Sequence, residues 1–246
     1  MFKEQRTDRV LEIIREEKYT TVDALVKRLH YSPATIRRDL VYLANLGVIK
    51  KSYGGVSINA AARPYILREH DNTLAKIKIC RYAEKLVNDG DTIFIDGTTT
   101  TYFLGETLLK KKDITVFTSN LKLAIFLGEH KINCYVCGGK IFDGIMLGGA
   151  YTCDLIKKNY FDIAFFAVGG IDDDGQFSVS ENYWAFMPTA IAHSKKSILL
   201  CDGKKFDVQR RSFVDDISVF DAVISDEMFP ERIKTKYDKV EFIFAE

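Results

Sequence analysis

The sequence Ser32-Pro33-Ala34-Thr35-Ile36-Arg37-Arg38-Asp39-Leu40 decides the fold of the N-terminal part of this 246-residue chain. Ser32 is a strong N-cap residue and Pro33 suits the first helical position, so a helix is predicted to begin here. One buried stripe is predicted from apolar residues at helical spacing, which are Ile36, Leu40 and Leu43. The stretch therefore predicts an amphipathic helix that keeps a threonine and two arginines off its packed face.

Two more helices are predicted before this one. The first runs from Arg6 to Lys18, where apolar residues mark one face and no helix breaker occurs. The second begins after Thr20-Thr21, which suit an N-cap, and Gly47 is placed to end the third helix. The short connection at His30-Tyr31 gives the spacing of a helix-turn-helix, whose second helix lies in the major groove of DNA.

A β-hairpin is predicted after the third helix, with two short β-prone runs around Gly54-Gly55. Residues 25–53 contain six lysines and arginines but one acid, whereas the net charge of the whole chain is only +1. Such a local excess of basic charge is typical of a DNA-binding surface, although a solvated basic face remains the alternative. The residues predicted to contact DNA are Thr21, Ser32, Thr35, Arg37, Arg38, Lys50, Lys51, Tyr53, Gly54 and Gly55.

The composition argues against several other classes of protein. No apolar run reaches the roughly 18 residues of a membrane span, and the N-terminus lacks the apolar stretch of a signal peptide. The five cysteines are irregularly spaced, and the Cys134-x-x-Cys137 pair has no second pair to complete a zinc site. We therefore expect buried reduced thiols in a cytoplasmic protein with no metal, cofactor or membrane partner.

Residues 76–246 are predicted to form an α/β domain, joined by a linker at residues 59–75 to a DNA-binding domain at residues 1–58. Short apolar runs alternate with helices along this part of the chain, which is typical of a parallel, Rossmann-like sheet covered on both faces. Ligands bind such sheets at the carboxyl ends of the strands. The polar residues that follow each apolar run are therefore the candidate ligand-binding residues.

Two loops carry most of these polar residues. Asp96-Gly97-Thr98-Thr99-Thr100-Thr101 follows one predicted strand, and Thr118-Ser119-Asn120 follows the next. Hydroxyl groups beside the unpaired N–H groups of a helix N-terminus suit phosphate. The same residues also serve as ordinary N-caps and turn residues, so a purely structural role remains open.

Two parts of the chain resemble the DeoR family. Residues 6–56 resemble its winged helix-turn-helix on the Ser32–Leu40 run together with Arg9, Ile13, Leu43, Gly47 and Gly54-Gly55. Residues 76–230 resemble its effector domain, whose fold is like that of ribose-5-phosphate isomerase, on the two loops above together with Gly138-Gly139 and residues 162–166, 169–172 and 202–206.

The resemblance implies a phosphorylated sugar as the effector. It implies that Thr118, Ser119 and Asn120 offer hydroxyl and amide groups to the ligand. Gly138 would let the ligand approach the backbone closely, and Lys205 would supply a positive charge. The implied effector-binding residues are Asp96, Gly97, Thr98, Thr99, Thr100, Thr101, Thr118, Ser119, Asn120, Gly138, Gly139 and Lys205.

The chain departs from the family pattern at three places. Gly97-Thr98 stands where the family usually has Ser-Gly, Ile141 and Phe142 stand where an arginine is common, and Trp184 falls near the place of a usual lysine. The last two departures remove positive charge from the implied pocket.

Together these observations predict a transcriptional regulator that acts on double-stranded operator DNA. We expect a repressor of a sugar-metabolism operon that assembles as a homodimer or homotetramer and has no enzymatic activity. Two alternatives stay open. One is a sugar-phosphate isomerase-like enzyme with an accessory DNA-binding head, in which Asp96, Glu181 and Lys205 supply acid–base chemistry. The other is a regulator whose C-terminal domain only oligomerises.

Overall fold

The computed structural model describes residues 3–45, 48–58, 65–207 and 214–246. The chain divides into two compact units, Met1–Arg68 and Glu69–Glu246. The elements of the first unit, up to the end of its sheet, are α1 (Lys3–Glu17), β1 (Tyr19–Thr20), α2 (Val22–Leu29), α3 (Pro33–Asn45), β2 (Ile49–Ser52) and β3 (Gly55–Ile58).

The first unit is a winged helix-turn-helix. Its three strands form an antiparallel sheet in the order β1-β3-β2, and its core includes Ile14, Leu25 and Ile36, all fully buried. The stripe predicted for α3 is confirmed, because Leu40 and Leu43 are buried with Ile36. Gly47, predicted to end α3, lies outside the described residues.

The wing differs in detail from the predicted Gly-Gly turn. Ser52 pairs with Gly55, so the turn consists of Tyr53 and Gly54, and Gly55 is the first residue of β3. Strand β1, which pairs with β3 through Tyr19 and Thr20, was not predicted. A Cβ at Gly55 would stand 2.5 Å from the Thr20 carbonyl oxygen, so the glycine is needed where β1 packs against the wing.

The chain continues through a longer series of elements. These are α4 (Tyr65–Glu69), α5 (Thr73–Ala83), β4 (Thr92–Ile95), α6 (Thr99–Thr107), β5 (Thr115–Thr118), α7 (Leu121–Glu129), β6 (Asn133–Val136), β7 (Lys140–Phe142), β8 (Met146–Gly148), α8 (Ala150–Lys157), β9 (Ile163–Phe166), β10 (Gly170–Ile171), β11 (Gln176–Ser178), α9 (Glu181–Trp184), α10 (Met187–Ala192), β12 (Ser197–Leu200), β13 (Asp215–Asp216), β14 (Ala222–Ser225), α11 (Glu231–Lys236) and β15 (Glu241–Phe244).

Seven of these strands form one parallel sheet in the order β15-β14-β12-β9-β4-β5-β6. The order reverses between β4 and β9, because β5 and β6 extend the sheet on one side and β12, β14 and β15 on the other. The central strands are fully buried, as the apolar runs predicted. The predicted α/β class and Rossmann-like sheet are therefore confirmed.

Two features were not predicted from the periodicity. Strands β7 and β8 form a separate antiparallel hairpin, and β10, β11 and β13 form a second small sheet. Strand β6 lies at one edge of the main sheet and leaves Tyr135 half exposed, so the sheet is not covered everywhere. Short strands at an edge show too little alternation of apolar and polar residues to be predicted from periodicity.

The predicted linker contains regular structure. Residues 59–64 lie outside the described residues, but residues 65–69 form α4. Helix α5 begins at Thr73, before residue 76, where the α/β domain was predicted to start. Asn72 precedes it with a left-handed backbone, and its Nδ2 donates to Asp202 Oδ1 at 2.7 Å.

The described part of the chain has no helix long and apolar enough to cross a membrane. All five cysteines are free. Cys80, Cys137 and Cys201 are buried as predicted, whereas Cys134 and Cys153 are only partly buried. Burial raises the pKa of the Cys137 thiol to about 12, which keeps it protonated and unreactive at neutral pH.

Candidate functional site

Helix α3 begins as the sequence predicted. Ser32 Oγ accepts a hydrogen bond from the Thr35 backbone N–H at 3.2 Å and lies 2.9 Å from the Thr35 hydroxyl. Thr21 caps α2 in the same way, accepting from the Ala24 N–H at 3.1 Å. These three polar side chains therefore set the starts of the two helices of the motif.

The basic side chains predicted to contact DNA are exposed. Arg37 and Arg38 lie on the surface of α3, and Lys50 and Lys51 on that of β2. Tyr53 is fully exposed at the wing turn, beside Gly54 with its positive φ of 85°. Arginine, lysine and tyrosine are side chains that commonly donate hydrogen bonds to phosphates, and the contact of these residues with DNA stays a prediction.

One buried ion pair in this unit was not predicted. Asp39 is 2% exposed and accepts from Arg6 of α1 through two bonds, Nε to Oδ2 at 2.6 Å and Nη2 to Oδ1 at 3.0 Å. The bond to Asp39 raises the pKa of the Arg6 guanidinium, which stays charged. The position of Asp39 within the apolar stripe of α3 was the signal for its burial.

In the second unit, Asp96 lies at the point where the order of the sheet reverses. It follows β4, and its Oδ2 accepts from the Ala167 N–H, just beyond β9, at 2.6 Å. The Thr98 N–H and the Thr101 hydroxyl donate to its Oδ1 at 2.8 and 2.5 Å, and the Tyr183 hydroxyl donates to its Oδ2. Burial raises the pKa of Asp96, and the hydrogen bonds from Thr101, Tyr183 and Thr98 oppose that rise.

Asp96 therefore ties three segments of the sheet edge together. Tyr183, which comes from α9, was not identified from the sequence, because it lies 87 positions from its partner. With its carboxylate fully buried and four donors on it, Asp96 organises the loop in this conformation. Its predicted contact with the effector stays a prediction.

The four consecutive threonines have four different partners. Thr98 caps α6, and the Thr101 hydroxyl donates to Asp96. Thr99 Oγ1 accepts from Lys76 Nζ and Thr100 Oγ1 accepts from Lys205 Nζ, each at 3.2 Å. The beginning of α6 therefore carries two ammonium groups in addition to its own N–H groups.

Lys76 is the most informative residue that the sequence reasoning missed. It lies on α5 and is only 2% exposed. It falls at helical spacing with Ile79, Cys80 and Ala83, which are all buried. A lysine on the buried stripe of an amphipathic helix was the signal, because lysine is rarely buried without a specific role.

The second polar loop meets the first. Asn120 caps α7 and its Nδ2 donates to the Gly97 carbonyl at 3.2 Å. A Cβ at Gly97 would lie 3.1 Å from Ser119 Oγ, so the two loops are in close contact. Ser119 is fully buried, and its hydroxyl has no hydrogen-bond partner among the described residues. A buried hydroxyl without a partner is rare and indicates that a ligand or water completes it.

The two adjacent glycines after β6 differ in their surroundings. A Cβ at Gly138 would meet nothing within 4 Å, whereas Gly139 has φ of 147° and its Cβ would collide with the Gly148 carbonyl oxygen. Thr152 Oγ1 donates to the Gly138 carbonyl at 2.5 Å and connects this loop to α8. Open space lies beside Gly138, while Gly139 is required by close packing.

Apolar side chains stand at the positions where an arginine or a lysine is usual in the family. Ile141 is half exposed on β7, and Phe142 packs close to Gly148 of β8. The Trp184 ring lies 6.1 Å from that of Phe177. The two lysines at the start of α6 thus supply the cationic groups that the structure brings to the predicted loops.

The described residues contain no group of three or more histidine, cysteine or acidic side chains that could hold a metal ion. The Lys205 Nζ atom lies 3.8 Å from Asp202 Oδ2. The Asp96 carboxylate accepts four hydrogen bonds.

Comparisons with known proteins agree with this organisation. A family model described as the DeoR-like helix-turn-helix domain matches residues 6–62, and one described as the DeoR C terminal sensor domain matches residues 71–227.

Individual relatives were also found. The chain is 28% identical over 232 residues to the glycerol-3-phosphate regulon repressor of Escherichia coli (strain K12), covering 92% of each. It is 27% identical over 244 residues to the lactose phosphotransferase system repressor of Lactococcus lactis subsp. lactis, covering 95% of each. Among solved structures, ribose 5-phosphate isomerase A from Methanocaldococcus jannaschii matches with a TM-score of 0.40 and 15% identity over 55% of each chain.

Proposed function

The chain belongs to the DeoR family of transcriptional regulators, and on that premise we propose that its DNA binding responds to a phosphorylated sugar held at the start of α6. The regulator binds DNA through its helix-turn-helix unit. The effector site lies at the carboxyl ends of β4 and β5, beside the point where the sheet order reverses.

The observation that carries the effector proposal is the pair of lysines on adjacent threonines. Lys76 and Lys205 come from distant parts of the chain, yet both ammonium groups donate to hydroxyls of the first turn of α6. Two ammonium groups at a helix N-terminus attract an anionic group such as a phosphate monoester, and Asp202, 3.8 Å from Lys205, offsets part of their charge. One of the two cations is almost fully buried, which a solvated surface patch would not require.

The groups around this anion site suit a polyol. Ser119 offers a buried hydroxyl without a partner, and the space beside Gly138 is open. Hydroxyl groups of a sugar or polyol would form hydrogen bonds with such protein groups. The name of the Escherichia coli relative, which refers to glycerol 3-phosphate, makes that compound the first one to test.

We also propose that the chain acts as a homodimer or larger assembly on its operator. Helix-turn-helix proteins read paired half-sites, and each copy of this chain supplies one α3. Arg37 and Arg38 would contact bases and phosphates from α3, while Lys50 and Lys51 would contact the backbone from the wing.

The DNA-binding part is tested with a duplex that the protein itself selects from a random-sequence pool. Arg38→Ala is expected to weaken binding and to reduce the slope of log Kd against log salt by about one, as loss of one phosphate contact does. Arg232→Ala is the matched control, because Arg232 is exposed in the other unit. An unchanged slope for Arg38→Ala would contradict its assignment.

The effector part is tested by the thermal stability of the protein with glycerol 3-phosphate, ribose 5-phosphate and fructose 6-phosphate, each paired with its unphosphorylated parent. We expect a phosphorylated compound to raise Tm and its parent to leave Tm unchanged. If no compound raises Tm or alters the affinity for the selected duplex, the C-terminal unit serves oligomerisation rather than sensing.

A further inference from the structure

Asp39 is an acid in an unusual place. It follows Arg37 and Arg38 directly on α3, yet its side chain is 2% exposed. It lies three positions after Ile36 and four before Leu43, and both of these residues are buried in the core. An ionised carboxylate on a packed face needs a compensating partner, because an unpaired buried charge is strongly destabilising.

Arg6 supplies that partner from α1. Its Nε and Nη2 donate to the two carboxylate oxygens at 2.6 and 3.0 Å, which makes a bidentate salt bridge. The Arg6 side chain is 17% exposed, and its guanidinium carbon lies 5.2 Å from the centre of the Tyr31 ring. Tyr31 belongs to the turn between α2 and α3, so one arginine contacts the recognition helix and the turn that leads into it.

The apolar core and this ion pair constrain α3 in different ways. Contacts of Ile36, Leu40 and Leu43 with the core are non-directional, and they tolerate small rotations of the helix about its axis. Two parallel N–H···O bonds to one carboxylate fix both distance and orientation. A rotation of α3 would move the exposed side chains of Arg37 and Arg38 relative to the base edges while leaving most of the core intact.

We infer that Arg6 and Asp39 are a positioning pair, which fixes the rotation of α3 so that its exposed residues read base edges in register. The pair itself does not touch DNA. The inference rests on the DNA-binding function proposed above. It separates Arg6 from the exposed Arg37 and Arg38, because the guanidinium of Arg6 is paired with the buried Asp39.

Arg6→Lys tests the pair, because lysine keeps the positive charge but cannot form the bidentate hydrogen bonds to the carboxylate. The probes are the duplex that the wild-type protein selects from a random pool and a scrambled duplex of the same length. The specificity ratio is the dissociation constant for the scrambled duplex divided by that for the selected duplex. It is expected to fall about tenfold, which is the size of one lost base contact. The slope of log Kd against log salt is expected to stay unchanged, because no phosphate contact is removed.

Arg9→Lys is the matched control. Arg9 lies on the same helix and pairs with Glu12 at 2.6 Å, but its side chain is 65% exposed. Its replacement is expected to leave both the specificity ratio and the salt slope at wild-type values.

Two results for Arg6→Lys would overturn the inference. A salt slope that falls by about one would make Arg6 a phosphate contact instead. A lower Tm with an unchanged specificity ratio would make the pair a stabilising contact without a role in reading DNA. Failure of the wild-type protein to select any sequence would instead count against the proposed function, so the two failures are distinguishable.

A second variant covers the case in which Arg6→Lys does not fold. The double variant Arg6→Met/Asp39→Leu replaces the pair by apolar side chains of similar size, which commonly preserves or improves stability. It is expected to unfold cooperatively, with a specificity ratio below that of the wild type. A folded double variant with the wild-type ratio would overturn the inference.

Discussion

At the scale of single residues, the proposed effector site rests on a few side chains whose surroundings differ from what their residue type suggests. Lys76 is a buried cation, Ser119 is a buried hydroxyl without a partner, and Asp96 is a carboxylate enclosed by donors. Lys76 and Asp96 are hydrogen-bonded within the protein, whereas the Ser119 hydroxyl has no partner among the described residues.

Lys76→Met is expected to weaken the binding of a phosphorylated sugar by at least about tenfold, because a hydrogen bond to a charged group is lost. Methionine fills a similar volume, so the protein should stay folded. Lys78→Met is the matched control, since Lys78 is exposed on the same helix. Isothermal titration with the sugar phosphate that raises Tm measures both, and equal affinities for the two variants would remove Lys76 from the site.

Ser119→Ala should separate stability from binding. Removing a buried hydroxyl without a partner is expected to raise the free energy of unfolding by about 1 kcal/mol in the absence of ligand. The same change should weaken sugar phosphate binding, because the ligand loses a partner. Urea unfolding and ligand titration of one preparation give both quantities. A destabilised variant would show that the Ser119 hydroxyl is already satisfied in the empty protein.

At the scale of elements, the sequence reports local structure well and long-range pairing poorly. Ser32, Pro33 and the apolar stripe of α3 predict the helix correctly, because capping and periodicity act within one element. The Arg6–Asp39 pair spans 33 positions and the Tyr183–Asp96 pair 87, so no periodicity could predict either.

The candidate site was also predicted only in part: its two polar loops were, and the buried lysine was not. The loops after β4 and β5 meet as expected for neighbouring parallel strands, since Asn120 donates to Gly97. The burial of Lys76 was missed because a lysine in a helix is normally assigned to the exposed face. The β7–β8 hairpin was missed because strands this short carry little pattern.

The glycine pair after β6 gives a prediction at the element scale. Gly139→Ala is expected to lower stability by about 1–3 kcal/mol, because its φ of 147° disfavours a side chain and the added Cβ collides with β8. Gly138→Ala should leave stability unchanged, because its Cβ enters open space, but should weaken effector binding if the ligand uses that space. Equal effects of the two changes on Tm would contradict this distinction.

At the scale of the whole molecule, the proposed response of DNA binding to an effector is a case of thermodynamic linkage between two sites. A ligand shifts DNA affinity only if it binds the DNA-bound and free forms differently, and the effect is reciprocal. If the effector weakens DNA binding by some factor, DNA must weaken effector binding by the same factor. This requirement holds however the two units are arranged.

The most direct test is the affinity of the wild-type protein for its selected duplex with and without a saturating sugar phosphate that raises Tm. We expect the sugar phosphate to change this Kd by at least about fivefold, which is the lower range of allosteric coupling. We also expect Lys76→Met to abolish this change while the Kd without ligand stays the same. A sugar phosphate that raises Tm but leaves the Kd for DNA unchanged would contradict the claim that the two sites are coupled.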